Sequence, residues 1–156
     1  MGLVNDTLNA TREEKCFRIS WTNKTYRDGS VFVKRSLRPE EWCNSEFSGR
    51  KLIPPLGREQ IFNEAATLHY LKENTMIPLP KLYASFEDNG VAYLITEYVH
   101  GIPMDKLSME DQAFVAKEVK YHLQMLETLT SDRFGGPTGL VSVNHTAIPL
   151  VYWILR

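Results

Sequence analysis

The stretch Ser30-Val31-Phe32-Val33-Lys34-Arg35 decides how this chain is read. It is a short apolar run, rich in β-branched residues, that ends in two cations, and it reads as a strand. Side chains alternate along a strand with period two, so Phe32 and Lys34 share one face while Val31, Val33 and Arg35 share the other. A lysine on the inner face of such a strand needs a partner, because an unpaired ammonium is expensive to bury. The alternative is that Lys34 snorkels out at the strand end, its stem covering apolar surface.

Just upstream, Asp28-Gly29 is a hairpin signal, since that pair suits a tight turn with positive φ. Before it, Cys16-Phe17-Arg18-Ile19-Ser20-Trp21 alternates as a strand does, and Thr22-Asn23-Lys24 is polar and turn-like. The start is thus an antiparallel meander of about three strands, preceded by a polar segment over residues 1–15. Downstream, Pro39, Pro54, Pro55, Gly49 and Gly57 break regular structure, giving a long loop over 36–57 with a short helix near Glu40-Glu41-Trp42.

A helix is predicted from Arg58 to Glu73, with Ile61, Ala65, Leu68 and Leu71 on one stripe. On a wheel of 3.6 residues per turn Glu64 lies about 40° from Leu68 and about 20° from Leu71. It is a carboxylate on the apolar face, or at its margin and reaching out. Ile77-Pro78-Leu79-Pro80 is an extended connector. Lys81 to Phe86 and Val91 to Thr96 read as two strands joined by a turn centred on Asn89-Gly90, the second apolar enough to be central and covered on both sides. Ser108 with Asp111 resembles a capping box, and a long amphipathic helix follows to about Leu129, with Val115, Val119, His122, Leu123, Leu126 and Leu129 on its stripe. His122 there reads as a core or rim histidine. The glycine-rich run Arg133 to Gly139 precedes no clear helix and is not a phosphate cradle of the strand–loop–helix type.

The length, 156 residues, suits one domain or one lobe of a larger protein. With 18 Lys and Arg against 19 Asp and Glu the net charge is −1, so there is no basic field to attract nucleic acid or an anionic membrane. Cys16 and Cys43 have no metal-site or redox spacing and read as reduced thiols. No signal-peptide pattern and no bilayer-spanning apolar run is present. A cytoplasmic protein with no nucleic-acid and no membrane partner is the expectation.

The order of three strands, a helix, two strands, a linker and a long helix resembles the N-terminal lobe of protein-kinase-like phosphotransferases. Within them it is most similar to the aminoglycoside-phosphotransferase family of fungal type. The likeness is carried by Val31 to Pro39, Ile53 to Glu59, Asn63 to Leu68, Ile77 to Tyr83 and Tyr93 to Gly101, and runs from about Ile19 to Gly139. It implies an α+β fold: an antiparallel sheet of about five strands with one helix over 16–98, a hinge over 99–107, and a long helix opening a C-terminal lobe over 108–139. It implies ATP as the nucleotide, with Lys34 on its α- and β-phosphates and Glu64 pairing with Lys34. Glu97, Tyr98 and Val99 would hold the adenine edge through their backbone groups. Asn23, Lys24 and Thr25 would form the tip of a phosphate-covering turn.

The chain departs from that family at its catalytic motifs. His122 is followed by Leu123-Gln124 and His145 by Thr146-Ala147, so neither opens a His-x-Asp loop, and no acidic residue follows Asp132. The sequence thus offers no catalytic residue and no magnesium ligand of the family's kind, and residues 140–156 read as an atypical apolar tail of a shortened C-lobe. Two expectations stay open. One is the ATP-binding part of a small-molecule kinase whose hydroxyl acceptor is met only in a longer form. The other is a non-catalytic nucleotide- or protein-binding module, or a truncated product without function.

Overall fold

The computed structural model of the chain describes residues 15–131 and 135–140. The polar N-terminal segment before Lys15, and the apolar tail from Val141 onward, lie outside the described residues.

The elements follow in the order β1 (Cys16–Ile19), β2 (Asn23–Asp28), β3 (Val31–Ser36), a 3-10 turn (Pro39–Glu41), α1 (Gly57–Asn74), β4 (Leu82–Asp88), β5 (Val91–Glu97), a second 3-10 turn (Met104–Lys106) and α2 (Met109–Glu127). The five strands form one antiparallel sheet in the order β1-β2-β3-β5-β4. The fold is therefore α+β, with β3 at the centre of the sheet. The tight turns follow local chemistry. Asn89 and Gly90 both take positive φ, 49° and 75°, as a two-residue hairpin of the primed kind requires. The β2–β3 turn is Gly29-Ser30, one residue later than the Asp28-Gly29 pair singled out above, with Gly29 at φ 58°.

One face of the sheet is covered by α1. Lys34 pairs with Leu94 across β3 and β5, and alternation places Thr25, Phe32, Lys34, Ser36, Ala92, Leu94 and Thr96 on this covered face. The core forms where Ile61 and Ala65 of α1 meet Ala92 and Leu94 of β5, with Phe62, Leu68 and Leu82 packed around them. A fully buried side chain of the size of Ile61 or Leu94 contributes about 2 kcal/mol of hydrophobic stabilisation. The prediction for β5 holds on this face, where Ala92, Leu94 and Thr96 are all buried; on the other, Val91 is buried while Tyr93 and Ile95 are half-buried.

On the opposite face the chain that follows β3 covers the end that carries Lys24 and Arg35. Pro39 disfavours helix at Arg38, which stays extended at φ −77° and ψ 157° and turns the segment back over the sheet. The 36–57 loop is thus not featureless: it holds the 3-10 turn and an isolated bridge between Asn44 and Lys51. At its end α1 starts from Leu56, which adopts the left-handed conformation at φ 55° and supplies no side-chain cap. At the other end of the chain, Ser108 caps α2 by accepting from the Asp111 amide at 3.1 Å. No residue of α2 is buried, and Phe114, Tyr121 and Leu123 on it are exposed.

Candidate functional site

The two puzzles of burial resolve into one contact. Lys34 Nζ donates to Glu64 Oε2 at 2.5 Å, joining the centre of the sheet to the helix that covers it. Neither side chain snorkels free: Lys34 keeps 16 % of its exposure and Glu64 22 %. The wheel argument placed Glu64 beside the apolar stripe, and α1 packs with Ile61 and Ala65 inward and Glu64 turned toward β3. An ammonium has three donors, and Glu64 is the protein partner of Lys34 among the described residues. The pair is therefore held and still reachable from water. Those are the two conditions for a cation that must meet an anionic ligand.

Aromatic surface lies beside it. Phe32, two residues before Lys34 on the same face, pairs with Thr96 of β5 and sits 6.1 Å from the ring of Phe17, which is 57 % exposed. The period-two reading already put Phe32 on the Lys34 face; what it lacked was the reach of Phe17 from β1. From Leu94, opposite Lys34, to Glu97 is three residues of strand, about 10 Å.

The end of β5 is more committed than the sequence suggests. Glu97 belongs to the strand, pairs with Val31, and donates its amide to the Lys81 carbonyl at 2.8 Å. Tyr98 donates its amide to the Ser30 carbonyl at 2.7 Å. Its ring lies under the Arg27 guanidinium, 3.9 Å from the centroid, and meets His100 edge-on at 4.9 Å. Of the three expected hinge residues, only Val99 keeps an amide with no partner among the described residues.

The expectation for Asn23, Lys24 and Thr25 needs correction. They open β2 and do not form the tip of a turn. The β1–β2 turn is Ser20 to Thr22, closed by the Ser20 amide on the Asn23 carbonyl at 2.9 Å and by the Asn23 amide on Ser20 Oγ at 3.0 Å. Asn23 stays next to that turn, with its side-chain amide donating to Thr22 Oγ1 at 2.9 Å. Thr25 lies directly across from Lys34 and donates its hydroxyl to the Arg18 carbonyl at 3.2 Å. Lys24 pairs with Arg35 and so points to the other face, away from Lys34.

There it joins a cluster that sequence reasoning missed. Glu41 accepts from Lys24 Nζ at 2.8 Å, from Arg35 Nη1 at 2.7 Å and Nη2 at 2.6 Å, and from the Arg38 amide at 2.7 Å. Arg35 also donates to the Tyr26 hydroxyl at 2.9 Å, and Arg38 to the Tyr93 hydroxyl at 3.3 Å. Lys24, Arg35 and Glu41 are 0 %, 1 % and 2 % exposed. Burial alone would raise the Glu41 carboxyl; the hydrogen bonds from Arg35 and Lys24, then the Arg38 amide and the Arg35 charge, outweigh it and bring the pKa down to about 2. This dry cluster staples the loop to the sheet. It offers no opening to a ligand, whereas Lys34 and Glu64 do.

Among the described residues no group of three or more His, Cys, Asp or Glu is placed to hold a metal ion. His122 is half-buried on α2, its Nδ1 enclosed and without a hydrogen-bond partner there. No protein-family model matches this chain, and no curated protein matches it either.

Proposed function

We propose that this chain carries the nucleotide-binding lobe of a phosphotransferase resembling the aminoglycoside-phosphotransferase family. In this reading Lys34 neutralises the α- and β-phosphates of ATP, Glu64 holds Lys34 in place, and the Val99 backbone meets the adenine edge. The observation that carries the reading is the Lys34–Glu64 contact at 2.5 Å, held between the central strand and its covering helix yet open to water. Support comes from the aromatic pair Phe17 and Phe32 beside it and from the unused Val99 amide at the strand exit. These groups fit a nucleotide. Among the described residues no group of three or more His, Cys, Asp or Glu accompanies them. The hydroxyl acceptor rests on the resemblance alone.

The exposed Phe114, Tyr121 and Leu123 of α2 favour a second reading, a non-catalytic module that meets another apolar surface.

One experiment separates the two. A ligand that binds only the folded state stabilises it by about 2.7 kcal/mol at a hundredfold excess over Kd. ATP is expected to raise the unfolding midpoint of the native chain. Lys34→Ala is expected to abolish that rise while keeping the far-ultraviolet circular dichroism unchanged. A shift of equal size in Lys34→Ala refutes the assignment of Lys34, and no shift in the native chain leaves the second reading.

A further inference from the structure

Beyond α2 the chain returns to α1. Residues 135–140 form a turn that lies against Asn63, the neighbour of Glu64. Thr138 donates its hydroxyl to Asn63 Oδ1 at 2.7 Å. Gly136 approaches the same side chain so closely that a Cβ there would overlap its amide group. The turn holds its own shape. The Gly136 amide donates to the Leu140 carbonyl at 2.9 Å, and the Gly139 amide to the Gly136 carbonyl at 2.8 Å. Gly135 sits at φ 110°, where a Cβ would lie 2.8 Å from the Leu140 carbonyl oxygen. One amide of α1 is thus gripped by a hydrogen bond and a steric contact from a turn 75 residues away in sequence.

Asn63 and Glu64 are consecutive, about 100° apart around α1. What fixes one azimuth fixes the other. A side-chain end about 6 Å from a helix axis moves about 2 Å when the helix rotates by about 20°. That is enough to convert the Lys34–Glu64 contact into a solvent-separated pair.

We propose that the 135–140 turn is a positioning element: by gripping Asn63 it sets the rotation of α1 and so the reach of Glu64 to Lys34. Its meaning for ligand binding rests on the nucleotide reading above. The mechanical claim does not, and it is tested without a ligand. The full chain is treated with acetic anhydride, and acetylation of each lysine is followed by peptide mass spectrometry. An ion-paired, half-covered amine reacts slowly, and Glu64→Gln sets the rate for an unpaired Lys34. Thr138→Val is expected to raise the Lys34 rate at least threefold toward that limit. Thr138→Ser, which keeps the hydroxyl, holds the native rate, and exposed Lys51 and Lys72 serve as internal controls. Asn63→Ala repeats the test from the other side of the contact. A Lys34 rate in Thr138→Val equal to the native rate, relative to Lys51 and Lys72, overturns the proposal. So does a rise shared by all lysines, which reports general loosening. The same reaction run with ATP reads the other question separately: failure of ATP to protect Lys34 counts against the nucleotide reading and leaves the positioning claim to the Thr138→Val rate.

Discussion

Lys34 and Arg35 are neighbours in β3, and each meets a carboxylate on its own side of the sheet. Magnitude separates their roles. Truncating one member of a dry ion pair leaves a stranded charge and costs about 3–5 kcal/mol. Glu41 is in that class, so Glu41→Gln is expected to destabilise the chain by about that amount in urea unfolding at neutral pH. Its pKa adds a pH signature. The folded value, about 2, lies below the ordinary 4.5, so its stabilisation is complete above about pH 4.5 and is lost as pH falls toward 2. The native chain should lose stability through that window, and Glu41→Gln should show a flatter acid limb. The argument that found Lys34, a buried cation in need of a partner, applies equally to Arg35. It did not reveal Glu41, because a carboxylate on a loop has no periodicity to place it on a face. The same gap put Lys24 at a turn: the count of residues between β1 and β2 is legible, but the counter-charge that draws Lys24 to the far face is not.

At the scale of elements, most of the order was legible because β3 and β5 begin as short apolar runs bounded by turn residues and α1 carries Ile61, Ala65, Leu68 and Leu71 at helical spacing. A boundary moved where a side-chain hydrogen bond, invisible to periodicity, ended the element: Ser20 closes β1 early. The end of α1 falls within a residue of the expected one, where Thr75 donates to the Leu71 carbonyl at 2.7 Å. The left-handed Leu56 is a further case. Glycine is free in that conformation, whereas a side chain there costs about 1–2 kcal/mol. Leu56 is over a third exposed, so little packing is lost with it. Leu56→Gly is therefore expected to stabilise the chain by about 0.5 kcal/mol in urea unfolding, the residual after glycine's greater unfolded entropy. A loss of stability instead would mean that the side chain of Leu56, which lines a cavity of about 240 Å³ with Trp42 and Pro54, contributes more there than its strain removes.

For the molecule as a whole, stability is unevenly placed. The sheet and α1 share the buried core, whereas α2 buries no residue. Local opening follows such differences. Amide hydrogen exchange is expected to be slowest in β3, β5 and α1, and faster by at least tenfold along Met109–Glu127. Equal protection of α2 would show that its stripe is covered in solution. The α+β order of five strands and two helices was legible at this scale. The tie from the 135–140 turn to Asn63 was not, since nothing in a glycine-rich run names the residue it touches.

The opposed directions of Lys34 and Arg35 also govern how the chain can change in length. Inserting or deleting one residue within β3, ahead of Lys34, would exchange the two cations between faces: the fork would turn toward Glu64 and the point charge toward Glu41. Glu41 would lose its two guanidinium bonds and Glu64 its ammonium. The outer part of the 36–57 loop, beyond Trp42, and the hairpin tips lie outside this constraint. Between Val31 and Lys34 the spacing is as constrained as the residues themselves.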